Sequence, residues 1–154
     1  MKSEAMIDGV LLVDKAPGMT SHDVVAITRR VLNTRKVGHC GTLDPLATGL
    51  LIVTIGRGTK IQDLLMSEDK EYVGTIRLGQ TTTSQDADGT VLEEKPVPEV
   101  TREKLEEVFA GFQGDFYQTP PMVSAIKKDG VPLYKLARQG KTIEREPRLV
   151  HIYG

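Results

Sequence analysis

The segment 37–51, VGHCGTLDPLATGLL, holds the residues of this chain that are best suited to chemistry. Its glycines, Gly38, Gly41 and Gly49, permit tight turns of the backbone, and Asp44–Pro45 is a common way to start a turn. Two interpretations follow from the residues alone. Asp44 either caps a turn, or it is a single carboxylate held rigidly in a cleft while the glycines let a substrate approach the backbone. In the second case the segment is a catalytic loop on a rigid scaffold.

Other familiar sites do not fit the sequence. A phosphate-binding loop needs Gly, four residues and then Gly–Lys–Ser/Thr, and the residues 56–60, GRGTK, have the wrong order. The chain has one Cys and three His, and because His39 and Cys40 are adjacent they are poorly placed to bind one metal ion. Adjacent side chains in an extended loop also tend to point apart, which disfavours a Cys–His nucleophile pair. The sequence therefore predicts neither a metal nor a cofactor.

Charge is distributed unevenly along the 154 residues, although the net charge is only -1. Residues 1–60 carry a net charge of +3, residues 61–120 carry -8 and residues 121–154 carry +4. Two basic blocks around an acidic one can create a local site for a polyanion on a nearly neutral protein. The alternative is that solvated surfaces happen to differ in sign.

The composition is that of a protein of the cytoplasm. Apolar runs such as Val10–Val13 and Leu50–Val53 are far too short to span a membrane, and the N-terminus lacks a stretch of signal-peptide type. The single cysteine, Cys40, fits a reducing compartment. We therefore predict no membrane partner.

The elements that must position the loop are predicted from periodicity and turn signals. Thr20 and Ser21 stand where the N-cap of a helix belongs, and that helix is predicted to end near Asn33. The segment Lys36–Gly49 is predicted to be irregular. Further helices are predicted at 59–66, 101–112 and 132–139, and strands at 9–13, 50–55, 71–78 and 148–153, with a possible strand at 122–126. This order is mixed α and β without the strict alternation of a doubly wound sheet.

The residues His39–Gly49 closely resemble the active-site motif of the TruB family of tRNA pseudouridine synthases. Asp14–Ser21 resembles the first motif of that family, although Ala16 stands where a second proline is frequent. The resemblance continues in collinear order over nearly the whole chain, through the segments 70–72, 78–79, 86–89, 118–121, 124–127 and 134–140. It implies an α+β fold with a mixed, largely antiparallel sheet and flanking helices, the pseudouridine synthase catalytic fold.

The resemblance implies the isomerisation of a T-arm uridine of tRNA, uridine-55, to pseudouridine, without metal or cofactor. Asp44 would be the catalytic nucleophile, acting either on the base or on the sugar carbon. Tyr72 would stack on the flipped base, where the alternative is core filling, and His39 would hold the extruded nucleotide, where the alternative is a loop residue bonded to backbone. Lys15, of the first motif, would be structural or near a phosphate, and Thr42 and Leu43 flank the carboxylate as further substrate-binding candidates.

The segment 120–146 corresponds by resemblance to an RNA-clamping insertion that closes on the T-arm. It lies in the basic block at the end of the chain, so resemblance and charge point to the same surface. Phosphate contacts there would give affinity without reading the base sequence. The candidates for these contacts are Lys127, Lys128, Lys135 and Arg138.

Family members continue well past residue 154. We therefore expect residues 1–154 to be an N-terminal portion of the catalytic domain, with the sheet incomplete at its C-terminal side. By the same resemblance, we expect an arginine that pairs with the catalytic aspartate and a C-terminal RNA-binding domain to lie outside this portion. The expected behaviour is low or no activity alone, a monomer if complete, and pairing with a separate C-terminal half. Two alternatives remain: a non-catalytic RNA-binding or tRNA-chaperone module, and a guide-RNA-dependent synthase acting on ribosomal RNA.

Overall fold

The computed structural model describes residues 7–122, 124 and 126–154. The chain divides into two compact units, Met1–Tyr72 and Val73–Gly154. Each unit is built around antiparallel strands, and every strand pairing among the described residues is antiparallel. The predicted α+β class is confirmed, with the strands distributed over four small sheets.

The first unit is a three-stranded sheet covered by a helix. Its elements are β1 (Gly9–Lys15), α1 (Ser21–Val31), β2 (Val37–His39), β3 (Gly49–Ile55), a 3-10 helix (Gly56–Ile61) and α2 (Gln62–Met66). The sheet order is β1–β3–β2, so β3 is central, and its register pairs Gly9 with Ile55 at one end and Lys15 with Gly49 at the other.

The core of this unit lies between α1 and one face of the sheet. It consists of Val24 and Val25 from the helix and Val37, Leu51 and Val53 from the strands. Because side chains alternate along a strand, the neighbours of these residues lie on the opposite face. There, Leu12 of β1 and Leu50 of β3 remain 66% and 62% exposed. One face of the sheet is therefore packed against α1, whereas the opposite face leaves Leu12 and Leu50 exposed.

The start of α1 is fixed by a capping box. The hydroxyl of Thr20 accepts a hydrogen bond from the amide of Asp23 at 3.1 Å, and the Asp23 carboxylate accepts one from the Thr20 amide at 2.8 Å. Of the two residues predicted for the cap, Thr20 fills it, and the Ser21 hydroxyl is left for another contact.

The second unit contains three two-stranded sheets and two helices. Its elements are β4 (Gln80–Thr82), β5 (Val91–Glu94), α3 (Arg102–Ala110), β6 (Gly114–Gln118), β7 (Lys127–Lys128), β8 (Val131–Pro132), α4 (Leu133–Arg138) and β9 (Arg148–Ile152). The strands pair as β4–β5, β6–β9 and β7–β8. The predicted helices at 101–112 and 132–139 and the strand at 148–153 are confirmed with small changes at their ends.

Two predicted strands are not found. The segment 71–78 is rich in β-forming residues but pairs with no strand among the described residues, and Val73 is 98% exposed. A β-rich segment without a partner has no ladder of hydrogen bonds, so the prediction of a strand is wrong here. In the possible strand at 122–126, Met122, Ser124 and Ile126 are not in a strand, and Val123 and Ala125 lie outside the described residues.

The short strands β2, β7 and β8 and the strands β4, β5 and β6 were not predicted from the sequence.

Among the described residues, each helix is too short or too polar to span a membrane.

Candidate active site

The loop that carries Asp44 connects β2 to β3 at the end of the sheet where Lys15 pairs with Gly49. The amide of Cys40 still donates to the carbonyl of Ile52 at 2.8 Å, so the loop leaves the ladder after that residue. Gly41 and Gly49 then adopt φ values of 106° and 112°, a region that side chains rarely allow. Glycine at these two positions lets the chain leave and re-enter the sheet within a short loop.

The backbone just before Asp44 is held by Ser21. The Ser21 hydroxyl accepts a hydrogen bond from the amide of Leu43 at 2.9 Å and donates one to the Leu43 carbonyl at 3.2 Å. The Leu43 side chain also packs against the hydrophobic core. Leu43 is thus fixed through its amide, its carbonyl and its side chain.

The backbone just after Asp44 is held by Lys15 and Gly18. Lys15 is 1% exposed, and its ammonium donates to the carbonyls of Ala16 at 3.0 Å, Met19 at 2.8 Å and Pro45 at 3.3 Å. The amide of Gly18 donates to the same Pro45 carbonyl at 2.8 Å. The first motif therefore holds the loop by hydrogen bonds to the Pro45 carbonyl, and all three donors of the Lys15 ammonium are engaged.

Asp44 itself is exposed between these two fixed neighbours. Its carbonyl accepts a hydrogen bond from the Ala47 amide at 3.1 Å, which closes the turn. Within the described residues its carboxylate makes no hydrogen bond and no ion pair. The turn-starting interpretation and the catalytic one are both compatible with this backbone, but the side chain caps nothing and is open to a substrate.

His39 is half-buried at the start of the loop. Its Nδ1 lies 2.5 Å from the carbonyl oxygen of Gly41, and because a carbonyl only accepts, Nδ1 carries the proton and donates. In the neutral ring this leaves Nε2 as an acceptor. The His39 carbonyl in turn accepts from Nε2 of Gln62 at 2.8 Å, so the residue is held on both its ring and its backbone.

The surroundings of Cys40 disfavour a nucleophilic role. The side chain is buried, and burial raises the pKa of the Cys40 thiol, which disfavours the reactive thiolate. No group of three or more His, Cys, Asp or Glu side chains among the described residues is placed to hold a metal ion.

The remaining predicted substrate-binding residues separate into exposed and supporting positions. Thr42 is exposed in the loop, and Tyr72 is 71% exposed at the end of the first unit, with no hydrogen bond or ring contact to Asp44 or His39 among the described residues. Lys15 and Leu43 hold supporting positions, because their buried or packed side chains contact the loop or the core instead of facing a substrate; for Lys15 this is the structural one of its two alternatives. The structure thus brings His39, Thr42, Leu43 and Lys15 to the loop of Asp44, and leaves Tyr72 without a contact to it.

The residues predicted to contact RNA phosphates lie in the second unit. Lys135 is exposed on α4, and Lys128 is exposed on β7, where its ammonium donates to the Glu144 carbonyl at 2.8 Å. The side chains of Lys127 and Arg138 lie outside the described residues. A groove of about 990 Å³ in this region is lined by basic and acidic side chains in equal number, namely Lys128, Arg145 and Arg148 with Asp129, Glu144 and Glu146.

Two residues that hold the site were missed as functional from sequence. Ser21 was considered for the helix cap and as the last residue of the first motif, but not as a site residue, and Gln62 was considered only as part of a helix. The signal available for Ser21 was that two hydroxyl residues compete for one cap, which leaves one hydroxyl free. For Gln62 no local signal exists, because its partner lies 23 residues away in the chain.

Comparison with known proteins identifies relatives along the whole chain. The model for the TruB family pseudouridylate synthase N-terminal domain matches residues 29–154. A tRNA pseudouridine synthase B of Opitutus terrae is 61% identical over 146 residues, which is 95% of this chain and 61% of the relative. One of Azoarcus sp. is 53% identical over 96% of this chain and 49% of the relative. The chain thus spans between about half and three fifths of the length of these relatives.

Two solved structures share the fold. The crystal structure of a Cbf5–Nop10–Gar1 complex contains a chain that is 27% identical, with a TM-score of 0.57 over 95% of this chain and 34% of that one. A structure of an H/ACA RNP bound to a substrate RNA containing 2′-deoxyuridine contains a chain that is 34% identical, with a TM-score of 0.53 over 71% of this chain and 29% of that one. The sequence relatives and the structural relatives agree with the family and the fold that the sequence motifs resemble.

Proposed function

The chain belongs to the TruB family of pseudouridylate synthases, and from that premise we propose that it is the part of a tRNA pseudouridine synthase that carries the catalytic carboxylate. The proposed reaction is the conversion of a uridine in tRNA to pseudouridine, with uridine-55 of the T-arm as the target. The observation that carries the proposal is the exposed, unpaired carboxylate of Asp44 between two backbone positions that the first motif holds. A reacting group held in one position spends little free energy on orientation.

The isomerisation needs no change in oxidation state. The glycosidic bond between N1 of uracil and C1′ of ribose breaks, and a bond between C5 and C1′ forms. The proton on C5 is lost and N1 gains a proton, so the atoms balance. We propose that Asp44 supplies the electron pair that starts this exchange, by attack either on the base or on C1′. A carboxylate without an ion-pair partner in the described residues keeps its lone pairs available for that attack.

His39 and Tyr72 are proposed to receive the nucleotide once it leaves its stack. Flipping a base costs a few kcal/mol of unstacking, and contacts with the extruded nucleotide offset part of this cost. The Nδ1–H bond of His39 leaves its Nε2 free to accept a hydrogen bond in the neutral ring. The exposed ring of Tyr72 offers a face for stacking.

RNA binding by the second unit is also a proposal. Residues 120–146 lie in a block of net charge +4, and the exposed Lys128 and Lys135 are available to phosphates. We assign Lys127 and Arg138 to the same role from sequence alone. Among the described residues, the groove lined by Lys128 carries as many acidic as basic side chains, so phosphate contacts are expected at the exposed Lys128 and Lys135 more than in the interior of the groove.

The lengths of the relatives support a proposal for the domain organisation. The chain spans 61% and 49% of two of them, and we propose that the rest of the family length adds strands and an RNA-binding domain. The exposed Leu12 and Leu50 support this, because an apolar sheet face needs a cover. We therefore propose low activity for the chain alone, restored by a separate C-terminal half, with the cytoplasm, where tRNA is processed, as its location.

Of the two alternatives, a synthase guided by a second RNA is less well supported. The relatives named tRNA pseudouridine synthase B are 53% and 61% identical, whereas the chains from the Cbf5–Nop10–Gar1 complex and the H/ACA RNP are 27% and 34% identical. A non-catalytic RNA-binding or chaperone module remains the competing hypothesis. Replacing the carboxylate of Asp44 distinguishes the two, because an enzyme needs this group and a pure binding module does not.

The test is tritium release from 5-tritiated uridine in a T-arm hairpin. It compares the chain alone with the chain mixed with the C-terminal half of the Opitutus terrae relative. We expect release in the mixture, complete loss with Asp44→Asn, and unchanged release with Asp63→Asn, an exposed acid of α2 in the same unit. RNA affinity should stay the same in both variants. Release that survives Asp44→Asn, or its absence from the mixture, would overturn the proposal; full turnover by the chain alone would overturn the proposed need for a C-terminal half.

A further inference from the structure

We infer that Ser21 is a positioning residue for Asp44, an inference that rests on the proposed catalytic role of that carboxylate. Ser21 is 2% exposed, and its hydroxyl bonds both the amide and the carbonyl of Leu43, the residue before Asp44. The bonds span 22 residues of sequence, from the first turn of α1 to the loop between β2 and β3. They tie the loop to a helix whose own start is fixed by the capping box of Thr20.

A serine hydroxyl is suited to this contact because it donates one proton and accepts with its lone pairs at the same time. The single hydroxyl of Ser21 therefore satisfies both the amide and the carbonyl of Leu43. Alanine at position 21 would leave the amide and the carbonyl of Leu43 without that partner at a partly buried position, which costs stability in the loop. The helix would be unaffected, since Thr20 is the cap and alanine is a strong helix former.

The effect on the carboxylate follows from the other end of the turn. Pro45 is held through its carbonyl by Lys15 and Gly18. With Leu43 also fixed, the Cα of Asp44 lies between two anchored residues, and its side-chain torsions are its main remaining freedom. When the Ser21 contact is removed, one anchor is lost and the carboxylate samples positions away from the reacting atom. Misplacement of about 1 Å can cost about 100-fold in rate.

The first experiment measures the contact itself, without catalysis. Amide hydrogen exchange of Leu43 is followed by NMR in the wild-type chain, in Ser21→Ala and in Thr28→Val. Thr28 is the matched control, because it is a buried hydroxyl on the same helix whose 2.8 Å bond goes to the Val24 carbonyl and not to the loop. We expect exchange at Leu43 to accelerate at least about fivefold in Ser21→Ala and to stay unchanged in Thr28→Val.

The second experiment measures the consequence for the reaction. In the complemented tritium-release assay, Ser21→Ala should lower the single-turnover rate about 10- to 100-fold while RNA affinity stays within about twofold. Thr28→Val should retain the wild-type rate. A loss of affinity with an unchanged rate would overturn the inference, as would an unchanged rate despite faster exchange at Leu43. Unaltered exchange at Leu43 would overturn it as well.

The two proposals fail in different ways. If the wild-type mixture forms no pseudouridine, the proposed function fails, whereas the exchange experiment still decides whether Ser21 holds the loop. If Ser21→Ala does not fold, as judged by circular dichroism, Ser21→Cys takes its place. Its thiol is a weak donor and acceptor of similar shape, so exchange and rate should lie between those of the wild type and those expected for loss of the hydroxyl.

Discussion

Replacing Lys15 with methionine tests whether this lysine supports the loop as the structure indicates. Its ammonium is 1% exposed and donates to the carbonyls of Ala16, Met19 and Pro45. Methionine has a similar length and no donor. The Pro45 carbonyl would keep its 2.8 Å bond from Gly18, whereas the other two carbonyls would lose the donor that the structure gives them.

The expected loss of stability follows from those two carbonyls. A buried acceptor without a partner costs about 1–3 kcal/mol. Met19 is half-buried, so this cost applies to its carbonyl, whereas Ala16 is exposed and its carbonyl can bond water instead. Removing a buried charge returns part of the cost, because holding an ammonium out of water is itself expensive. We therefore expect Lys15→Met to lower the free energy of unfolding of the first unit by about 1–2 kcal/mol. That is a large fraction of the total stability of a small domain, which is about 5–15 kcal/mol.

The assay is urea unfolding followed by NMR signals of β1 and β3, which report on the first unit alone. Lys60→Met is the control, since Lys60 is an exposed lysine of the same unit. Lys60→Met should change the free energy of unfolding by less than about 0.5 kcal/mol. If Lys15→Met is as stable as the control, the three hydrogen bonds do not stabilise the fold and the reasoning about the loop is wrong.

Two further predictions concern other positions in the first unit. A Cβ at Gly58 would meet the backbone carbonyl of Gly9, whereas one at Gly38 would meet the flexible end of Gln62 and, at 3.3 Å, the hydroxyl of Thr54. We therefore expect Gly58→Ala to cost about 3 kcal/mol and Gly38→Ala about 1 kcal/mol in urea unfolding; equal costs would refute this. Hydrogen bonds from the side chain and the amide of Thr20, the N-cap of α1, lower the pKa of Asp23 below its usual 3.8. The stabilisation of the fold by the Asp23 carboxylate is therefore fully present above that pH and is lost as the pH falls through the lowered pKa. The melting temperature of wild type should therefore exceed that of Asp23→Asn near neutral pH, and the difference should close below pH 3.8; a difference independent of pH would contradict it.

Local patterns in the sequence were sufficient for the longer elements. The helices α1 and α3 and the strands β1 and β3 carry their own periodicity and turn signals, and the structure has them with small changes at their ends. Short strands such as β2 were missed, and 71–78 was assigned wrongly, because a strand exists only when another strand pairs with it. Pairing is a property of the fold and has no signature in a single short segment.

The sequence by itself determined which loop to examine and which carboxylate in it to propose, because that information lies in a contiguous motif around Asp44. The tertiary structure decided which residues hold the loop. Lys15 and Leu43 became supports, and Ser21 took a role beyond the helix cap, through hydrogen bonds that join residues 22 and 30 positions apart. Contacts over such separations depend on how the helix packs on the sheet, so they could be found only once the chain was folded.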